Sequence, residues 1–195
     1  MFAQKGLDLA RIDEITERAD VGKGTFYCHF ASKAQLIEEL IKDVLDELAT
    51  VVERRCGHID DLEGLLDALI GAHIEFFSSR WEDFVLYFQS RSDLTLQESF
   101  PGIDTPFLDY LERLEALLAS VLRHELPDPV MRRIACAVVG LVSGYYSFAA
   151  ISSQEEDIDA AFASLRGAMV ASLARFIQEA SPPAVTGAKN KGLVQ

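Results

Sequence analysis

GLDLARIDEITERADVGKGTFYCHFASK, residues 6–33, holds two short helical patterns on either side of a break. Ile12, Ile15 and Ala19 recur at helical spacing, and Asp20, Val21 and Gly22 interrupt them. Phe26 and Phe30 then fall four residues apart, on one face of a second segment. Its free face carries Lys23, Thr25, Tyr27 and His29. Two short helices across a three-residue turn, the second polar on its outer side, predict a helix-turn-helix. Spacing alone is equally compatible with an ordinary αα-corner. In that reading Tyr27 is a packed ring, and Lys23 and Lys33 are solvated charges.

The residue pattern separates the two readings. Gly6, Ile15, Ala19, Val21, Lys23, Gly24, Thr25, Tyr27, His29, Phe30 and Lys33 spell GxxxxxxxxIxxxAxVxKGTxYxHFxxK. This resembles the DNA-binding signature of the TetR family of bacterial repressors. The resemblance covers roughly the first 45 residues and implies an all-α chain. An N-terminal helix-turn-helix DNA-binding domain (residues 1–45) would precede an antiparallel helical ligand-binding and dimerisation domain (46–180) and a flexible tail (181–195). It implies that Lys23, Gly24, Thr25 and Tyr27 meet the DNA, that His29 and Lys33 lie near phosphates, and that Arg11 joins them. Two positions depart from the family pattern. Asp20 stands where a left-handed glycine is usual, and Gly22 replaces the usual serine cap of the recognition helix. In the family a longer helix opens the chain. Residues 1–5 amount to its last turn, with Gly6 as the stop, and Phe2 and Ala3 offer little surface to dock. The natural start is therefore expected upstream, by about three turns or less.

Composition sets further bounds. Forty-nine per cent hydrophobic residues and a mean hydropathy of +0.12 exclude disorder for the body of the chain. The net charge of −13 is unhelpful for binding DNA. Residues 1–45 carry six basic and eight acidic side chains, so most of the acid falls in the body. Cys28, Cys56 and Cys136 form no metal or disulfide pattern and suit a reducing cytoplasm. The four histidines lack ligand spacing, so no metal and no cofactor is expected. The uncharged run 134–154 is long enough to span a bilayer. It contains four serines, and the better reading is a helix buried within a protein assembly.

Beyond the head, periodicity and caps predict a long helix from Ser32–Gln35 to about Arg55, then helices near 62–78 and 81–91. An irregular stretch follows at 92–104. Thr105–Pro106 and Asp128–Pro129 open helices running to about Leu126 and Ile151. A capping box at Ser153 and Glu156 opens the last helix, which is striped by Phe162, Leu165, Met169, Leu173 and Phe176.

By resemblance the last two helices form a homodimer interface, and Gly140 and Gly144 supply a small-residue ridge for it. Phe77, Trp81, Phe84, Phe88, Phe107, Tyr110 and Tyr145 are the expected lining of an apolar effector pocket. The expected function is a cytoplasmic transcriptional regulator. It would bind a palindromic double-stranded DNA operator as a repressor and release it when a small apolar or aromatic effector binds. The alternative is a TetR-like helical dimer that has lost operator binding and acts as a ligand-binding or interaction protein. An enzyme is not expected, because no Ser/His/Asp set, metal cluster or phosphate loop is present and Cys28 and His29 point apart on one helix.

Overall fold

A computed structural model describes residues 2–92, 102–122, 124–152 and 158–180. Every regular element among them is helical. They are α1 (Phe2–Lys5), α2 (Ile12–Arg18), α3 (Lys23–His29), α4 (Lys33–Cys56), α5 (Leu62–Ser78), α6 (Trp81–Ser92), α7 (Thr105–Val121), α8 (Asp128–Ser152) and α9 (Ile158–Ala180). The all-α expectation, with a helix-turn-helix first and a helical body after it, describes this architecture.

Local chemistry explains the breaks. Gly6 adopts φ +84°, and its N–H donates to the Phe2 carbonyl at 2.8 Å, closing α1 as foreseen. Asp20 is left-handed at φ +54°. The Asp20 and Val21 N–H groups donate to the carbonyls of Glu17 and Thr16, which completes a Schellman stop with Asp in the usual glycine place. At α4 the Ser32 hydroxyl accepts from the Gln35 N–H at 3.2 Å. The Gln35 side chain reaches one residue further back than a capping box requires, accepting from the Ala31 N–H at 2.7 Å.

Helix α5 is the hub of the body, packed against α4, α6, α7, α8 and α9. It is apolar nearly all round, as a helix enclosed by neighbours must be, and Leu65, Leu66, Leu69 and Ile70 are fully buried. Each such side chain contributes about 1.5–3 kcal/mol. Helix α4 buries Ile37, Ile41, Leu45, Leu48 and Val52 in the same core. Charged pairs at the rim fix the crossings. Arg113 of α7 donates to Glu53 at 2.7 Å and Asp46 at 3.1 Å on α4. Arg166 of α9 grips the Asp67 carboxylate of α5 with two bonds of 2.6 and 2.7 Å. Arg55–Glu75 ties α4 to the far end of α5, and Arg80–Glu47 ties it to the turn between α5 and α6. Gly71 is what lets Arg166 pass, since a Cβ there would stand 2.6 Å from the guanidinium.

Four expectations need correction. Phe2 is half-buried against the core and α1 packs on α6, so the first residues do dock. Helix α7 ends at Val121 rather than near Leu126, with Leu122 as an extended C-cap whose N–H donates to the Ala119 carbonyl. Its N-cap is Asp104, with no side-chain cap bond, and Thr105 is already helical. On α9, Met169 and Leu173 face inward, whereas Leu165 and Phe176 are 41% and 45% exposed. The capping box at Ser153, the side chain of Phe162, residues 93–101 and the tail 181–195 lie outside the described residues.

Candidate nucleic-acid interface and effector region

Helix α3 stands on a single anchor. Phe26 is 5% exposed, set edge-on to Tyr27 at 5.3 Å and against Phe30 at 5.5 Å. Around it Lys23, Gly24, Thr25, Tyr27, Cys28 and His29 are all exposed. Six of seven residues of one short helix are thus offered to solvent, and Tyr27 is 57% exposed. Arg11 is exposed at the N-cap of α2 and makes no side-chain cap bond.

Lys33 sits differently. Its ammonium donates to the carbonyls of Leu7, Asp8 and Ala10 at 3.0, 3.0 and 3.1 Å. It therefore clamps the start of α4 to the linker between α1 and α2, and a phosphate contact would require giving up one of these bonds. Other cations of the head are also engaged: Lys5 with Glu14 at 2.9 Å, Lys23 with Asp13 at 2.6 Å and Lys42 with Asp46 at 2.7 Å. Asp13 raises the Lys23 pKa, first by hydrogen bonding and then by charge. Among the described residues Arg11 and Arg18 make no ion pair.

The expected effector residues separate into four groups. Phe77, Phe84 and Phe107 join Tyr87 and Tyr146 in one connected aromatic cluster: Phe84–Tyr146 at 4.5 Å, Phe77–Tyr87 at 5.2 Å and Tyr87–Phe107 at 5.6 Å. Trp81 and Phe88 lie beside Phe84 on α6 but are 51% and 40% exposed. Tyr145 is half-buried on α8. Tyr110 belongs to a pair the sequence reading missed. Its hydroxyl lies 2.7 Å from His73 Nε2, while His73 Nδ1 lies 2.8 Å from the Leu69 carbonyl. A carbonyl can only accept, so Nδ1 carries the proton and Nε2 accepts from the tyrosine. His73 is a lone titratable residue in the apolar run of α5, which was the available signal that a buried partner was needed. A groove of about 440 Å³ lies elsewhere, between α4 and the α5–α6 turn, with Thr50, Arg54, Phe76 and Arg80 in its wall. None of the seven expected residues lines it.

The pair has a pH consequence. Burial lowers the His73 pKa to about 4, only partly offset by the Leu69 bond. The unfolded imidazole titrates near 6.5, so it takes up a proton that the folded chain refuses. Stability should be flat above pH 6.5 and fall as pH drops below it, by roughly 3 kcal/mol at pH 4. Chemical denaturation between pH 8 and 4 measures this, and His73→Gln should flatten that part of the profile. An unaltered slope in the variant would place the acid sensitivity in other groups.

The body's last two helices leave an apolar stripe uncovered in the single chain. Leu141, Gly144 and Phe148 on α8 and Leu165, Ala168, Ser172 and Phe176 on α9 recur at helical spacing, with Phe148 74% exposed. Within a single chain the described part of the run, 134–152, therefore keeps one open face, and the expected enclosure would need a second copy. The hydroxyls of Ser143 and Ser147 are bonded to carbonyls of their own helix, at 2.6 and 2.8 Å. No helix among the described residues is long and apolar enough to cross a membrane.

Comparison with known proteins agrees with this arrangement. Residues 1–40 match the family described as bacterial regulatory proteins, tetR family. The chain is 26% identical over 144 residues to the uncharacterized HTH-type transcriptional regulator YvdT of Bacillus subtilis, covering 73% of each chain. It is 28% identical over 109 residues to the HTH-type transcriptional repressor KstR2 of Mycolicibacterium smegmatis, covering 54% of this chain and about half (51%) of the relative's length. The fold matches that of the transcriptional regulator FadR from Bacillus subtilis, solved in complex with stearoyl-CoA. That match has a TM-score of 0.69 at 18% identity, covering 88% of this chain and 91% of the other. An exposed recognition helix on a single buried anchor, with the TetR-type signature around it, makes residues 1–40 a DNA-binding head of the bacterial tetR regulatory family, carried on a helical body whose fold matches that of FadR.

Proposed function

We propose that the chain is a homodimeric repressor that reads a palindromic operator with α3 and is released by a small apolar or aromatic effector held in the body. The observation that carries this reading is the exposure of every residue of α3 except Phe26. Lys23, Gly24, Thr25, Tyr27 and His29 then form the contact surface, with Arg11 and Lys33 at its edges. Residues 1–45 act as the head and 46–180 as the body, with α4 running from one into the other. The open stripe on α8 and α9 supports pairing of two copies, which would hold two recognition helices about one DNA turn apart. The aromatic cluster of Phe77, Phe84 and Phe107, flanked by Trp81 and Phe88 and adjoined by Tyr110 and Tyr145, is the proposed effector region. An effector acts there only if it binds the DNA-released conformation more tightly than the DNA-bound one.

The engaged state of Lys5, Lys23, Lys33 and Lys42 favours a second reading, a TetR-like dimer that no longer holds an operator and serves as a ligand-binding or interaction protein. A gel shift on the DNA upstream of the protein's own gene separates the two. Under the first reading the chain retards that duplex and Tyr27→Ala abolishes the shift. Absence of any shift by the folded dimer selects the second. Trp81 is the single tryptophan, so its emission reports candidate effectors in the same samples.

A further inference from the structure

Asp13 stands in the first turn of α2, and its Oδ1 lies 2.6 Å from the Nζ of Lys23, the first residue of α3; the two side chains are 65% and 58% exposed. We infer that Asp13 is a positioning residue of the DNA-reading surface, an internal competitor for phosphate that keeps Lys23 from adding to indiscriminate DNA affinity. This rests on the reading of α3 as the DNA-contacting helix.

The geometry gives the pair a reason to exist. A lysine at a helix N-terminus faces the positive end of the macrodipole, and Gly22 offers no side-chain cap to offset it. The Asp13 carboxylate, one helix away, supplies the missing negative charge. The free protein therefore presents Lys23 already neutralised. A phosphate reaching that ammonium has to replace Asp13 and then lie beside the displaced carboxylate. One anion is exchanged for another, and Asp13 must recruit a counterion as DNA releases one. Lys23 then adds almost nothing to the salt dependence, whereas an unpaired lysine on a phosphate contributes a slope of about −0.9. Affinity is left to depend more on the uncharged contacts of Thr25 and Tyr27, which carry no counterion-release contribution of their own.

The test measures binding of the full chain to its upstream operator duplex and to an unrelated duplex between 50 and 200 mM salt. Wild type is compared with Asp13→Asn, Lys23→Ala, the double variant and Glu17→Gln, an exposed acid of the same helix that pairs with no lysine among the described residues. Asp13→Asn should tighten binding to both duplexes and steepen the slope by about 0.9, so that its gain is roughly three to four times larger at 50 than at 200 mM. Lys23→Ala should leave the wild-type slope nearly unchanged but remove the added slope in the Asp13→Asn background. Glu17→Gln should leave the slope as it is. Equal responses to Asp13→Asn and Glu17→Gln would reduce the effect to general charge and overturn the inference, as would weaker binding by Asp13→Asn. If wild type and Asp13→Asn both fail to bind either duplex while remaining folded, the DNA reading falls and takes the inference with it. Binding gained only on Asp13→Asn would uphold it.

Discussion

Gly144→Leu should convert the protein to monomers and lower operator affinity by about 10²–10⁴-fold, the loss expected when two linked half-site contacts become independent. The position makes the result interpretable. A Cβ at 144 meets no atom within 4 Å beyond its chain neighbours and its own helix backbone, so a larger side chain has room to leave the subunit. Leucine also suits a helix interior better than glycine, by roughly 0.5–1 kcal/mol. The subunit should therefore melt no lower on its own account. The side chain would instead enter the exposed stripe of Leu141 and Phe148 on α8 and hold a second copy away. Gly71→Leu is the contrasting case, because a Cβ there lies 2.6 Å from the Arg166 guanidinium and would displace it from Asp67. Light scattering decides the matter, and a Gly144→Leu protein that still runs as a dimer would move the interface elsewhere.

Phe26→Ala should destabilise the head by about 3–5 kcal/mol while leaving the body folded and dimeric. Phe26 is the buried side chain of α3, and with Ala10 and Thr16 it is among the few buried side chains beneath the helix-turn-helix. A unit of that size has little stability to spare. The body rests on a separate and much larger set, Leu65, Leu66, Leu69 and Ile70 against Ile41, Leu45 and Leu48. Limited proteolysis should cut within the first 33 residues of the variant, with most helicity retained and DNA binding lost. Wild-type affinity in Phe26→Ala would mean that α3 is held by contacts other than this ring.

The expected acid sensitivity of His73 and the salt behaviour of Asp13→Asn concern interactions of another kind, between residues distant in sequence. They mark where reading along the chain stops. Caps, breaks and periodicity are local properties, and they are written in the order of residues. Gly6, the left-handed Asp20, the Ser32 cap and the Lys23–His29 helix all appear where the sequence put them, because each is set by the dihedral preference or hydrogen-bonding reach of a few neighbours. The surface of α3 was legible for the same reason, since one buried phenylalanine at the right spacing fixes which side faces outward.

What a charged or aromatic side chain does in the folded protein is set by groups far away in sequence, and there the tertiary structure decided. Lys33 reads as a phosphate contact from its motif, yet folding brings the carbonyls of Leu7, Asp8 and Ala10 to its ammonium. Lys23 reads as an open cation until α2 delivers Asp13 to it. The stripe of α9 and the aromatic residues of α6 are visible in the sequence, but spacing names a face without saying what covers it. Trp81, Phe88, Leu165 and Phe176 emerge exposed, while Tyr110 is buried on a histidine 37 positions earlier. Burial of a polar or aromatic group depends on which helices cross over it, and that is a property of the packed assembly of helices rather than of any segment within it.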